Sequence, residues 1–95
     1  MDKYFEDKVA VVTGATGTFG SEFCRAFAAH GADIVLACRT AEKGEALAQE
    51  LREQGVDTKV ILWDATDVES IKELAKQAKE WKGHVDVLMC NAGGN

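Results

Sequence analysis

The chain has 95 residues, of which 46% are hydrophobic and 28% are charged, and its net charge is −5. This length fits one domain with a modest core, and the acidic balance argues against a nucleic-acid partner, because phosphate backbones attract basic surfaces. No apolar run approaches the ~20 residues that cross a membrane, and the charged stretch from Met1 to Lys8 lacks the apolar core of a secretory signal. The cysteines lack paired metal-ligand spacing, so we expect reduced thiols, no metal site and a cytoplasmic location.

The first predicted element is a strand from Lys8 to Val12, and its apolar run, Val9 to Val12, is typical of a strand covered on both faces. A glycine-rich turn follows it, and the next helix is predicted from Thr18 to about His30, with Phe19, Phe23 and Phe27 at every fourth position. A strand, a glycine-rich turn and a helix in this order predict a phosphate site, because a pyrophosphate must reach backbone N–H groups at a helix N-terminus. The candidate residues of this turn are Thr13, Gly14, Thr16, Gly17, Thr18, Phe19 and Gly20.

The glycines of this turn have separate expected tasks. Gly14 makes the tight turn, Gly17 lets the phosphates come close, and Gly20 lets the helix pack near its strand.

The rest of the chain repeats the alternation of strand and helix. The predicted elements are a strand at Ile34–Cys38, a helix from the Thr40 cap to about Gln54, a strand at Thr58–Trp63, a helix capped by Thr66 or Asp67 and running to about Trp81, and a strand at Val85–Met89. The β-α-β-α-β-α-β order predicts an α/β fold with part of a Rossmann-type, doubly wound parallel sheet in the strand order 3-2-1-4. The carboxyl ends of these strands bring Gly14, Arg39, Asp64 and Asn91 to one edge.

Three motifs stand at these strand ends: Thr13 to Gly20, Asp64-Ala65, and Cys90-Asn91-Ala92-Gly93. In them the chain resembles the short-chain dehydrogenase/reductase family, and the resemblance covers nearly all of its length. It implies that residues 1–95 are the N-terminal, truncated part of an NAD(P)-binding Rossmann domain. It also implies that Asp64 binds the adenine with Ala65 beside it, that Asn91 supports the central strand, and that Ala92 and Gly93 pass the cofactor.

Two departures leave the subgroup open. Thr18 stands where the main group of the family has a glycine, so the turn reads Thr-Gly-x-x-Gly-x-x-Gly, and Cys90 replaces the first Asn of Asn-Asn-Ala-Gly. The ending from Asn91 to Asn95 resembles family members of the fructuronate (mannonate) oxidoreductase kind, which act on sugar acids.

The end of the second predicted strand decides between NAD and NADP. An NAD site needs a carboxylate there for the ribose 2′-hydroxyl, whereas this chain has Cys38 followed by Arg39. A guanidinium pairs with a 2′-phosphate, which is worth about 1.5–3 kcal/mol, or roughly 10–150-fold in affinity. We therefore predict NADP over NAD, with Thr40 as a second contact. The alternatives are a solvated turn for Arg39 and a helix cap for Asp64.

No catalytic residue is expected in this chain. The resemblance implies a catalytic Ser and a Tyr-x-x-x-Lys pair after the fourth strand. Tyr4 and Lys8 have that spacing, but Lys8 begins the first strand at the opposite end of the sheet. The first interpretation is thus the NADP-binding portion of an oxidoreductase that moves hydride between a nicotinamide cofactor and a carbonyl or alcohol substrate, with the small-molecule substrate bound only by a longer parent.

Other classes stay open. One is a non-catalytic NADP-binding module or redox sensor. An S-adenosylmethionine-dependent methyltransferase needs an acid at the end of strand two, where Cys38-Arg39 stands, and a receiver-like domain needs acids after strand one, where Thr13-Gly14 stands. Because the fourth strand would be an exposed apolar edge, we also expect self-association through it.

Overall fold

Strands and helices alternate along the chain in the predicted order. The computed structural model describes residues 5–64 and 66–90. Within these residues the elements are β1 (Val9–Thr13), α1 (Thr18–Ala29), β2 (Asp33–Cys38), α2 (Ala41–Arg52), β3 (Thr58–Leu62), α3 (Val68–Lys82) and β4 (Val87–Met89).

The strands form one parallel sheet in the order β3-β2-β1-β4, which confirms the predicted fold class and strand order. In the centre of the sheet Val11 of β1 lies opposite Val35 of β2 and Leu88 of β4. Since all four strands run the same way, the segments after them meet at one edge of the sheet.

The helices cover both faces of the sheet. Ala10 and Val12 belong to the core formed with α1 and α2, whereas Val9 and Val11 belong to the core formed with α3. Because successive residues of a strand point to opposite faces, a strand covered on both sides has to be apolar throughout. This explains the unbroken apolar run of β1, every residue of which is buried.

Helix α1 contacts the sheet through its small residues. Its buried residues are Gly20, Cys24 and Ala28, whereas the side chain of Phe19 is 74% exposed and Phe23 and Phe27 are half-buried. Small residues let α1 lie close to the strands, so the phenylalanines stand one position away from the contact.

In α2 the buried residues are likewise Gly44, Leu47, Ala48 and Leu51. Ala46 and Glu50, which precede Leu47 and Leu51 in the sequence, are exposed. The stripe that faces the sheet therefore includes the glycine.

The last strand begins two residues later than predicted, at Val87. The backbone N–H of Asp86 donates to the carbonyl oxygen of Val9 at 2.9 Å, and the N–H of Val9 donates to Oδ2 of Asp86 at 2.9 Å. A side-chain carboxylate thus accepts a hydrogen bond at the start of the β1–β4 pairing. His84 Nδ1 lies 2.6 Å from the same oxygen.

Candidate cofactor site

The turn after β1 is a tight loop that is bonded to the neighbouring strand. Gly14 has φ 63°, a left-handed conformation that favours glycine, and its carbonyl oxygen accepts from the Gly17 N–H at 3.0 Å. The Ala15 N–H donates to the Ala37 carbonyl of β2 at 3.2 Å. The glycine-rich turn is therefore held next to the end of β2.

Gly20 packs α1 directly onto this turn. A Cβ atom at position 20 would lie 2.0 Å from the carbonyl oxygen of Gly14 and 3.0 Å from the Cα of Ala15. Both neighbours are backbone atoms, so they have no rotamer with which to move away. This contact has the role expected of the last glycine of the motif, which is close approach of helix and strand.

The N-terminus of α1 suits an anion. Gly17 is the N-cap and supplies no side-chain hydrogen bond, and the first turn contains no acidic residue. The first N–H groups of a helix have no partner within it and carry a partial positive charge. This donor set fits the pyrophosphate of a dinucleotide. Thr18 and Phe19 are exposed here and Thr16 is half-buried, so their contacts with a cofactor stay predictions.

Thr13 ends β1 and is buried with 5% of its surface exposed. Its hydroxyl donates to the carbonyl oxygen of Met89 at 3.4 Å. This bond joins the carboxyl ends of β1 and β4 at the edge of the sheet where the candidate residues lie.

At the end of β2 one side chain is buried and the next two are exposed. Cys38 is 1% exposed and its thiol donates to the Thr40 carbonyl oxygen at 3.5 Å, while Arg39 and Thr40 are exposed. Thr40 occupies the predicted N-cap position of α2, but its side chain makes no capping hydrogen bond.

Asp64 follows β3 in a turn of its own. Its Oδ1 accepts from the N–H of Thr66 at 2.9 Å and from the hydroxyl of Thr66 at 2.7 Å. These two bonds, with the charge of Arg39, hold the pKa of Asp64 below its ordinary value. The cap of α3 is Asp67, whose Oδ1 accepts from the Glu69 N–H at 3.0 Å, so Asp64 does not perform the capping task that was its alternative role.

The remaining predicted residues lie outside the described ones. These are Ala65, Asn91, Ala92 and Gly93. Cys90, directly before them, is exposed.

The buried thiols are poorly suited to redox chemistry. Burial raises the pKa of Cys24 to about 12 and raises that of Cys38. Because the thiolate is the reactive form, both groups are protonated and inert near neutral pH. Within residues 5–64 and 66–90, no cluster of His, Cys, Asp or Glu side chains has the makings of a metal site. In the same part of the chain, no helix has both the length and the apolar character needed to cross a bilayer.

The contact that sequence reasoning missed is that of Gly44. Gly44 lies against Cys38 and Val60, at the junction of α2 with β2 and β3. The available signal was a glycine inside an otherwise strong helix pattern, which often has a packing reason.

Known proteins that this chain resembles in sequence and fold include dehydrogenases and reductases. A family model described as short chain dehydrogenase matches residues 8–95. The 7alpha-hydroxysteroid dehydrogenase of Bacteroides fragilis is 36% identical over 90 residues, which are 95% of this chain and 35% of that protein. This chain therefore spans about a third of the length of that curated relative.

Two solved structures are similar in fold. The L-sorbose reductase of Gluconobacter frateurii, complexed with NADPH and L-sorbose, has a TM-score of 0.90 and 32% identity over 98% of this chain and 36% of its own. An NAD+-bound xylitol dehydrogenase has a TM-score of 0.87 and 30% identity over 90% of this chain and 33% of its own. Both structures carry a nicotinamide dinucleotide, and they differ in which one.

Proposed function

We propose that this chain, which belongs to the short chain dehydrogenase family, is the NADP-binding part of an oxidoreductase. One observation carries the proposal. The N-terminus of α1, which suits an anion, and the exposed Arg39 after β2 lie at the same edge of the sheet. The hydrogen bond from Ala15 to Ala37 holds the two segments together. One segment suits a pyrophosphate and the other suits the 2′-phosphate that distinguishes NADP from NAD.

The proposal assigns a different group of the dinucleotide to each part of the edge. The α1 N-terminus faces the pyrophosphate, with Gly17 nearest to it. Arg39, with Thr40 beside it, pairs with the 2′-phosphate, and Asp64 with Ala65 binds the adenine. The backbone of Asn91, Ala92 and Gly93 runs alongside the nicotinamide half of the cofactor. The cofactor supplies the hydride chemistry when it is bound.

Two properties of the end of β2 support NADP. The place of an NAD-type carboxylate is taken by Cys38, which is buried under α2 and has no charge to repel a phosphate. Arg39, unlike the buried Cys38 before it, is exposed. A charge-assisted pair here is worth about 1.5–3 kcal/mol.

The test is a calorimetric titration of the chain with NADPH and with NADH. We expect NADPH to bind about tenfold or more tightly, and Arg39→Ala to remove most of that preference while leaving NADH binding nearly unchanged. Arg52→Ala is the matched control, because Arg52 is also exposed but lies at the other end of α2. Equal affinities of the unmodified chain for the two cofactors would contradict the NADP assignment.

The activity of a whole protein that contains this chain is proposed on the same basis. It is hydride transfer between the cofactor and a carbonyl or alcohol substrate in the cytoplasm. The ending Asn91 to Asn95 favours a sugar acid, and a panel of sugar acids, sugars and steroids assayed with NADPH would test this assignment. A preference for a neutral sugar or for a steroid would contradict it.

A further inference from the structure

The first turn of α2 touches the sheet through a glycine. Gly44 is buried, and a Cβ atom at its position would lie 2.6 Å from Sγ of Cys38 and 2.9 Å from Cγ1 of Val60. Both neighbours are short side chains, and a valine has little rotamer freedom. The absence of a side chain at position 44 therefore allows α2 to approach the ends of β2 and β3 this closely.

The same contact holds the turn between β2 and α2. The Thr40 carbonyl oxygen accepts from the Gly44 N–H at 3.1 Å and from the Cys38 thiol at 3.5 Å. Arg39 and Thr40 are thus joined on one side to the buried end of β2 and on the other to the first turn of α2. Any displacement of that helical turn moves the turn that carries Arg39.

We infer that Gly44 is a positioning residue for the choice of NADP, through its effect on Arg39 and Thr40. The inference rests on the proposed function. The distance between an added methyl group and Sγ of Cys38 would have to grow by roughly 1 Å to become an ordinary contact. A guanidinium–phosphate pair needs distances of about 2.7–2.9 Å, so a shift of that size disrupts the pair.

The experiment compares the ratio of NADPH to NADH affinity in the intact chain and in Gly44→Ala. Circular dichroism at the titration temperature establishes that each variant is folded. We expect the ratio to fall about tenfold, towards that of Arg39→Ala, while NADH affinity changes less than about twofold. A general loss of stability would instead lower the affinities for NADPH and NADH by the same factor.

A double-mutant cycle tests the contact itself. In a Cys38→Ala background the added methyl group can occupy the space left by the sulfur atom. The change that Gly44→Ala causes in the logarithm of the affinity ratio should then be less than half of the change in the unmodified background. Leu74→Ala is the control for stability, because Leu74 is buried on the opposite face of the sheet. It should leave the ratio unchanged.

The outcomes separate the two proposals. If the unmodified chain has no preference for NADPH, the proposed cofactor choice fails and the inference fails with it. If the unmodified chain prefers NADPH and Gly44→Ala keeps the full ratio, the inference alone is overturned. It is also overturned if Leu74→Ala lowers the ratio as much as Gly44→Ala does. An equal effect of Gly44→Ala in both backgrounds would overturn the role of the Cys38 contact alone, because Val60 Cγ1 also lies 2.9 Å from the added carbon.

Discussion

Gly20 shows how one missing side chain determines the geometry of the glycine-rich turn after β1. Adding a methyl group would bring a carbon atom within 2.0 Å of the Gly14 carbonyl oxygen, so α1 would have to move away. We expect Gly20→Ala to lower the free energy of unfolding by about 1–3 kcal/mol through overpacking and to abolish measurable NADPH binding. Urea denaturation and cofactor titration measure the two effects.

The control for this variant is Ala26→Gly. Ala26 is exposed in α1, so its loss costs about 1 kcal/mol of helix propensity without touching the turn. Unchanged NADPH affinity in this control, beside lost affinity in Gly20→Ala, assigns the effect to the turn. Retained affinity in Gly20→Ala would contradict the packing argument.

Asp86 makes stability depend on pH in the acid range. Its hydrogen bond from the Val9 N–H, and then that from His84, hold its pKa below the ordinary value. A carboxyl group with a lowered folded-state pKa stabilises the protein above its unfolded pKa of about 3.9, and this stability is lost as the pH falls through the folded value. We expect the melting temperature to fall below about pH 4, and Asp86→Asn to reduce that dependence.

Only part of the acid dependence should disappear in that variant, because the pKa values of Asp64 and Glu50 are also lowered. The control is Glu80→Gln, an exposed carboxylate on α3, which should melt like the unmodified chain at every pH. An Asp86→Asn protein with the full original pH dependence would show that the bond to Val9 does not set it.

At the scale of elements, two helices begin at residues of capping type, yet only one uses its side chain. Asp67 accepts from the Glu69 N–H at the start of α3, whereas the side chain of Thr40 makes no such bond at the start of α2. Removing a working cap costs about 1 kcal/mol. We therefore expect Asp67→Ala to lower the free energy of unfolding by that amount and Thr40→Ala to leave it almost unchanged, as measured by urea denaturation. Equal losses in the two variants would contradict this assignment of the caps.

The order of the elements could be predicted because apolar runs and glycine punctuation are local signals. Which residues of a helix touch the sheet depends on how closely the helix approaches, and small residues such as Gly20 and Gly44 decide that approach. The spacing of large residues alone therefore does not identify the face of α1 that is buried. Large side chains such as Phe19 can stay at the surface without losing the fold.

The site was predictable at the level of strand ends, since parallel strands deliver their following residues to one edge. The sequence indicated Thr66 or Asp67 as the cap of α3 and kept Asp64 as an alternative, because Asp64 and Asp67 are both of capping type and lie three residues apart. The separation of their roles depends on the hydrogen bonds from Thr66 to Asp64, which form only in the folded turn.

For the whole molecule, the two edges of the sheet differ in protection. The β3 edge carries Lys59 within the strand, whereas β4 consists of Val87, Leu88 and Met89. A charged residue on an edge strand discourages pairing with another chain, and an apolar edge without one invites it. Beside β4, a groove of about 340 Å³ is lined by Val11, Ala75, Ala78, Lys79, Val85 and Leu88.

We expect the 95-residue chain to associate with a second copy of itself through β4, since an antiparallel pairing of two such strands about a two-fold axis closes the unpaired edge. Leu88 is 64% exposed at this edge, and Leu62, at the end of the other edge strand, is 56% exposed. Leu88→Lys should therefore convert the chain to a monomer in sedimentation equilibrium, while Leu62→Lys keeps the association of the unmodified chain. A monomeric unmodified chain, or equal dissociation by both variants, would show that β4 is not the contact.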